Sequence, residues 1–191
     1  MPRMSKTMNM FALSLIILTL ITAVILGFMA GPKSPLTWTL VGVLVLIPVI
    51  YRKLMDRDKI IWKDQYSVGI ESIDQQHKKL INLINMLQTT VDYSTGEAFE
   101  REALDAVVDY TKTHFSYEEG LMSEYGYPGF EAHKLKHQEM INEVQKLTAE
   151  YDQNPEHAMQ HGLNFLKQWL IKHINGTDKE YSDFLRSKGV Q

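Results

Sequence analysis

The chain contains no cysteine in its 191 residues. That excludes disulfides, thiolate metal sites and a cysteine nucleophile, so any metal must be held by His, Asp or Glu. Strand signals are missing too, because no apolar/polar alternation bounded by turn residues recurs, and there is no internal repeat. Positive charge is outnumbered over most of the chain. Residues 1–59 hold seven basic groups against two acidic ones, a net +5, whereas the remainder holds 13 basic and 21 acidic groups, a net −8. An acidic domain repels phosphate backbones, so nucleic-acid binding is not expected. It also repels anionic lipid, so any contact with membrane lipid falls to the N-terminal part.

Charge is absent from two stretches. Phe11 to Ala30 is a run of 20 uncharged residues, about 30 Å as a helix, which is the thickness of a hydrocarbon core. Gly31-Pro32-Lys33-Ser34-Pro35 signals a turn. Leu36 to Tyr51 is a second run, of 16 residues with Pro48 near its end; it reaches about 24 Å as a helix. The reading is a two-helix transmembrane hairpin in an anchor domain of residues 1–55, with spans at about 11–30 and 36–51. Basic residues flank its outer ends, which places both termini in the cytoplasm. A cleaved secretory signal fits less well, because the first run is long and a second follows.

After a charged linker, residues 60–191 carry helical periodicity. Leu80, Ile81, Leu83, Ile84 and Leu87 mark a helix over Asp74–Val91. Tyr93-Ser94-Thr95-Gly96 is a turn, with Ser94 or Thr95 available to cap a helix over Glu97–Tyr125. Gly126-Tyr127-Pro128-Gly129 ends that helix, and a third runs from Phe130 to Asp152. Asn154 is placed to cap a fourth, from about Glu156 to Arg186, with Pro155 at its first position. Four helices joined by short turns give an all-α, up-down-up-down bundle.

Each helix carries potential metal ligands: His77 on the first, His114 and Glu118 on the second, His133 and His137 on the third, His173 and Asp178 on the fourth. His114/Glu118 and His133/His137 are i,i+4 pairs, so each pair shares a face. Five imidazoles, two bridging carboxylates and a shared oxo or hydroxo group leave one place open on a pair of six-coordinate ions. An open place is where a small ligand binds. Imidazole suits iron, copper, zinc or nickel, and a carboxylate-bridged pair in a bundle points to iron or manganese. A lone His on such a helix is more often a surface or hydrogen-bonded residue; the coincidence on all four helices carries the proposal. His157 and His161 form another i,i+4 pair, but point roughly 160° and 120° away from His173 and are expected at the surface. His173 and Asp178 stand five apart, about 140° around a regular helix. With Asn175-Gly176 between them, the spacing predicts a π-type bulge there.

These residues resemble the hemerythrin family, specifically bacterial hemerythrin domains. The resemblance covers about residues 60–191 and rests on Trp62, Val68-Gly69-Ile70, Ile73-Asp74-Gln75-Gln76-His77, His114-Phe115-Ser116-Tyr117-Glu118-Glu119, His133-Lys134-Leu135-Lys136-His137 and His173 through Asp178. Myohemerythrin is itself a standard example of the four-helix bundle, so the fold assignment is shared with that example. The resemblance implies two iron ions with a bridging oxo or hydroxo group. His133, His137 and His173 would hold one ion, His77 and His114 the other, with Glu118 and Asp178 bridging. It implies reversible binding of O2 at the vacant place.

Leu80, Phe115, Trp169, Leu170 and Ile174 neighbour the ligands in sequence and are expected to line the O2 pocket; as large apolar groups they are equally ordinary bundle core. Tyr181 and Trp62 are further candidates for packing near the site. The expected function is oxygen storage or delivery at the membrane, without enzymatic turnover, to a membrane enzyme that uses oxygen. The expected location is the bacterial inner membrane, multi-pass, with the bundle on the cytoplasmic side. Two alternatives stand beside it: an O2 or redox sensor acting through a partner, and a di-iron oxidase, or a peroxide or nitric-oxide scavenger. The absence of paired Glu-x-x-His motifs ranks turnover lower.

Overall fold

The structure, a computed structural model, describes residues 6–31, 33–93 and 95–191. Residues 1–5, Pro32 of the first expected turn and Ser94 of the second lie outside the described residues. Among the described residues every regular element is helical. They fall into two compact units, one of the residues up to Lys59 with Asp92 and Tyr93, and one formed by Ile60–Val91 with Thr95–Gln191.

The first unit is a helical hairpin, α1 (Lys6–Ala30) and α2 (Pro35–Met55). Met10–Ala30 and Pro35–Leu54 are each long and apolar enough to cross a membrane. The helix of α2 outlasts its uncharged run and takes in Arg52 and Lys53. Side chains such as Phe11, Leu18 and Met29 are exposed, at 70%, 61% and 81%, a density of surface hydrocarbon that water does not favour. Ser14, Thr19, Thr22 and Thr39 each donate to the carbonyl four residues earlier, so these hydroxyls need no outside partner. Gly27 is where the two helices meet: a Cβ there would lie 2.4 Å from Thr37 Oγ1. Close approach through a small residue is how helices associate where burial of hydrocarbon supplies no drive.

The second unit begins with an arm, residues 60–70, that includes a 3-10 turn at Asp64–Tyr66. The arm is tied at both ends. Ile60 N–H donates to Asn85 Oδ1 at 2.9 Å, and Asn85 Nδ2 donates back to Ile60 O at 2.8 Å. Nearer the centre, Asp74 accepts from Val68 N–H at 2.8 Å and from the Ser67 hydroxyl.

Four helical legs follow: α3 (Glu71–Tyr93), α4 (Glu97–Tyr125), α5 (Phe130–Tyr151), and a composite leg of α6 (Pro155–His173), a π-helical segment (Ile174–Asp178) and α7 (Lys179–Ser187). The buried stripe of α3 is Ile73, His77, Leu80, Ile84 and Leu87. It advances by three or four residues, as one face of an α-helix must; Asp74, Ile81 and Gln88 beside it are buried as well. The turn from α4 to α5 is closed by Gly126 in the left-handed region (φ 68°), with Tyr127 N–H returning to Met122 O at 2.8 Å, a Schellman-type ending. Asn154 caps α6 as expected, accepting from His157 N–H at 3.4 Å, with Pro155 at the first position.

One expected cap is corrected. The residue before α4 is Gly96, which offers no side chain, and the Thr95 hydroxyl turns back to Thr90 O. Gly96 sits at φ 111°, a conformation that a side chain at this position would resist.

Candidate metal centre

The seven candidate ligands converge in the middle of the bundle, and none is more than 5% exposed. The two carboxylates organise them. Glu118 Oε1 lies 3.7 Å from His77 Nε2 and 3.5 Å from His114 Nε2, while its Oε2 lies 3.5 Å from His133 Nε2 and 3.3 Å from His137 Nε2. Asp178 divides in the same way. Its Oδ2 is 3.3 Å from His77 Nε2, and its Oδ1 is 3.0 Å from His173 Nε2 and 3.7 Å from His133 Nε2. Each acid therefore turns one oxygen to a two-histidine group and the other to a three-histidine group.

The helical pairs share faces as their spacing requires. The i,i+5 pair shares one because the segment Ile174–Asp178 is π-helical. There the i→i+5 hydrogen bond stacks residues that a regular helix would splay. Asn175 and Gly176, the weak helix formers in this segment, are exposed, so the widened turn faces outward and costs no core packing.

A metal is the natural occupant, because the donors otherwise lack partners. His77 Nδ1 and Nε2, His114 Nε2, Glu118 Oε2 and both oxygens of Asp178 are buried without a hydrogen bond. An orphaned buried polar atom costs roughly 1–3 kcal/mol, and a cation among His77 Nε2, His114 Nε2, Glu118 Oε2 and the two Asp178 oxygens would remove that cost for five of the six. His133, His137 and His173 turn their Nε2 atoms toward one another, with His137 3.0 Å and 3.1 Å from the other two. Three lone pairs aimed at one point repel unless something positive sits among them. Grouped by reach, Glu118, His133, His137 and His173 form one candidate cation site and His77, His114 and Glu118 another.

The charge states follow. Burial alone would push the carboxyl groups up, but the surrounding imidazoles outweigh it and hold Glu118 and Asp178 below their usual range, ionised. Burial opposes charge on His77, yet the two facing carboxylates raise it to about 9. Burial wins at His114, which falls to about 4.

Two partners that the sequence reading did not assign fix the imidazole tautomers. His137 Nδ1 lies 3.0 Å from Glu119 Oε1, and His114 Nδ1 lies 3.0 Å from Gln76 Oε1. Placing the ring proton on Nδ1 leaves the Nε2 lone pair for a metal. Their only signal was adjacency, Gln76 before His77 and Glu119 after Glu118. Tyr181, fully buried, donates its hydroxyl to Glu118 Oε1.

The expected pocket residues are found as follows. Phe115 stacks on His137, with ring centres 3.7 Å apart and planes 4° apart. Trp169 stacks on His173 at 4.2 Å and meets Phe115 at 5.6 Å. Leu80, Leu170 and Ile174 are buried members of the same core. Trp62 finds its ring partners elsewhere, edge-on to Tyr66 and under Lys78. His157 and His161 are exposed, and His157 pairs with Glu150 at 2.8 Å.

A bundle whose four legs each deliver imidazole or carboxylate to one buried cluster defines the class of helical-bundle proteins with a non-haem metal centre. Comparison narrows it. Residues 68–185 match the family model described as the Hemerythrin HHE cation binding domain. The bacteriohemerythrin of Stenotrophomonas maltophilia is 38% identical over 128 residues, covering 67% of this chain and 82% of that protein. The bacteriohemerythrin of Methylococcus capsulatus is 31% identical over 122 residues, covering 63% and 92%. A crystal structure of wild-type hemerythrin superposes with a TM-score of 0.56 at 28% identity, covering 66% of this chain and 97% of that one. The chain belongs to the hemerythrin family.

Proposed function

We propose that this chain binds O2 reversibly at a pair of iron ions, for storage or delivery of oxygen at a membrane. One observation carries the reading: Glu118 and Asp178 each divide their two oxygens between a two-histidine and a three-histidine group. That is the arrangement of carboxylates that bridge two cations. His133, His137 and His173 would hold one ion and His77 and His114 the other. Bound iron would supply the electrons and the open coordination place that O2 needs. Hemerythrin-family proteins bind O2, and the unequal three-and-two division of histidines leaves room for a ligand on one side only.

The chain's own groups serve reversibility. Phe115 and Trp169 cover the histidine rings, and Leu80, Leu170 and Ile174 extend the apolar shell; exclusion of water slows loss of charged oxygen species. Glu119 and Gln76 hold the ring tautomers, and Tyr181 fixes the rotamer of Glu118. The two apolar helices support an anchor in residues 1–55 attached to a bundle in residues 60–191. Oxygen dissolves well in lipid, so a tether would keep the site beside enzymes that use it.

The test uses the full chain purified in detergent and loaded with Fe(II). Iron analysis should give two ions per chain, and an air-formed colour should vanish under vacuum and return with air over repeated cycles. Decay to a ferric state after one exposure, with a product formed, would replace carriage with turnover. Deletion of residues 1–55 should release the protein from the membrane fraction with oxygen binding retained.

A further inference from the structure

A second apolar space lies at the other end of the bundle, where α3 and α5 finish and α6 begins. It is a cavity of about 10 Å³ between Leu87, Leu104, Leu147, Leu163 and Leu166, about enough for one small molecule. The lining has one polar group, the hydroxyl of Tyr151, and that hydroxyl already donates to Glu97 O at 3.1 Å. A water here would find at most the Tyr151 oxygen, short of the two to four partners it needs, so the space is dry. An apolar diatomic has no such need.

Gly162 is the second observation. It lies inside α6, where glycine is less favourable than alanine. Nothing obliges it to be glycine: a Cβ there would stand 3.6 Å and 3.9 Å from the two terminal carbons of Leu147, ordinary contact. The absent methyl group is what keeps the space open.

The third is continuity. Ile84 and Leu80 follow Leu87 down α3 to His77, and Leu170 follows Leu166 down α6 to His173; none of these leucines and isoleucines is more than 4% exposed. From Leu87 to Leu80 is about 10 Å of helix rise. Between the cavity and the histidines these two helices present hydrocarbon, and the buried hydroxyl of Thr111 on α4 is already bonded to Val107 O at 2.8 Å, so little there would hold a polar molecule.

We infer that this cavity is a docking site for O2 inside the bundle, apart from the metal centre and feeding it. The feeding step rests on the proposed oxygen-binding function; the docking step does not. Xenon is the probe, because it is apolar, near the right size and indifferent to metal. Xenon NMR on the metal-free full chain should show saturable binding, weakened about tenfold in Gly162→Ala, the usual discrimination of one added carbon in an apolar pocket. Leu163→Ala, which enlarges the space, should bind xenon more tightly. Absence of saturable binding in the unmodified chain, or equal binding in Gly162→Ala, overturns the site. With iron loaded, Gly162→Ala should keep its iron content and its visible spectrum while the O2 association rate falls several-fold. An unchanged rate alongside lost xenon binding overturns the feeding step and leaves the docking site standing. Failure of any O2 complex to form in the unmodified protein refutes the proposed function instead.

Discussion

Glu119→Gln exchanges a charge for an amide of the same shape behind His137. The carboxylate stands 3.0 Å from His137 Nδ1 and its side chain is 24% exposed. As an anion it strengthens the lone pair that His137 offers at Nε2, and an amide does so less. Hydrogen bonds to charged groups exceed neutral ones by about 1 kcal/mol, and loss of such a partner behind a metal-bound histidine lowers affinity roughly 10- to 100-fold. Solvent reaches Glu119 and screens it, so the low end applies: about tenfold, or ~1.4 kcal/mol. The loss should fall on the three-histidine ion alone, because His114 in the other group already leans on an amide, Gln76. Metal-free full chain titrated with Co(II) against a competing chelator resolves the two binding steps, and circular dichroism checks that helicity is kept. Gln76→Glu should strengthen the other step by a similar factor. Two unchanged steps, or a loss confined to the step assigned to His77 and His114, would refute the reasoning.

Glu118→Ala removes one of the two acids that face both groups and unseats the Tyr181 hydroxyl; iron analysis should show both ions lost, and a variant with full iron would end the bridging role. Metal-free stability should peak near pH 6.5. His77 is raised from 6.5 to about 9, so its protonated form stabilises the fold fully below pH 6.5, and this is lost as pH rises toward 9. His114 is lowered from 6.5 to about 4, so unfolding takes up a proton and stability falls as pH drops from 6.5 toward 4. Denaturant midpoints across this range check both flanks; a flat profile contradicts the electrostatic picture of the cage.

The helices were legible because their cause is local. The stripe from Ile73 to Leu87, the Asn154-Pro155 start of α6 and the glycine that ends α4 all lie within a few residues of what they determine. The wide turn after His173 was legible too, since a five-residue spacing with Asn-Gly inside it leaves a regular helix no way to face both ligands inward. The partners of the histidines were not. Gln76 reaches His114 from another helix, and Glu119 reaches His137, so their roles depend on crossings that no sequence window contains. Thr95 misled for a related reason. A hydroxyl beside a helix start has two backbone carbonyl and amide choices within reach, and here it took the preceding helix. Trp62 follows the arm, whose course Asn85 and Asp74 set from α3.

The π-helical turn also bears on how relatives should be aligned. In such a turn the residues five apart lie one above the other, much as residues four apart do in an ordinary helix. A chain with one residue fewer between its counterparts of His173 and Asp178 would still direct the equivalents of Tyr181 and Leu185, both fully buried here, toward the same interior. Length can therefore drift by a single position at Asn175-Gly176 without scrambling the far end of the molecule, and a gap at that point marks an absorbed insertion, not a lost ligand.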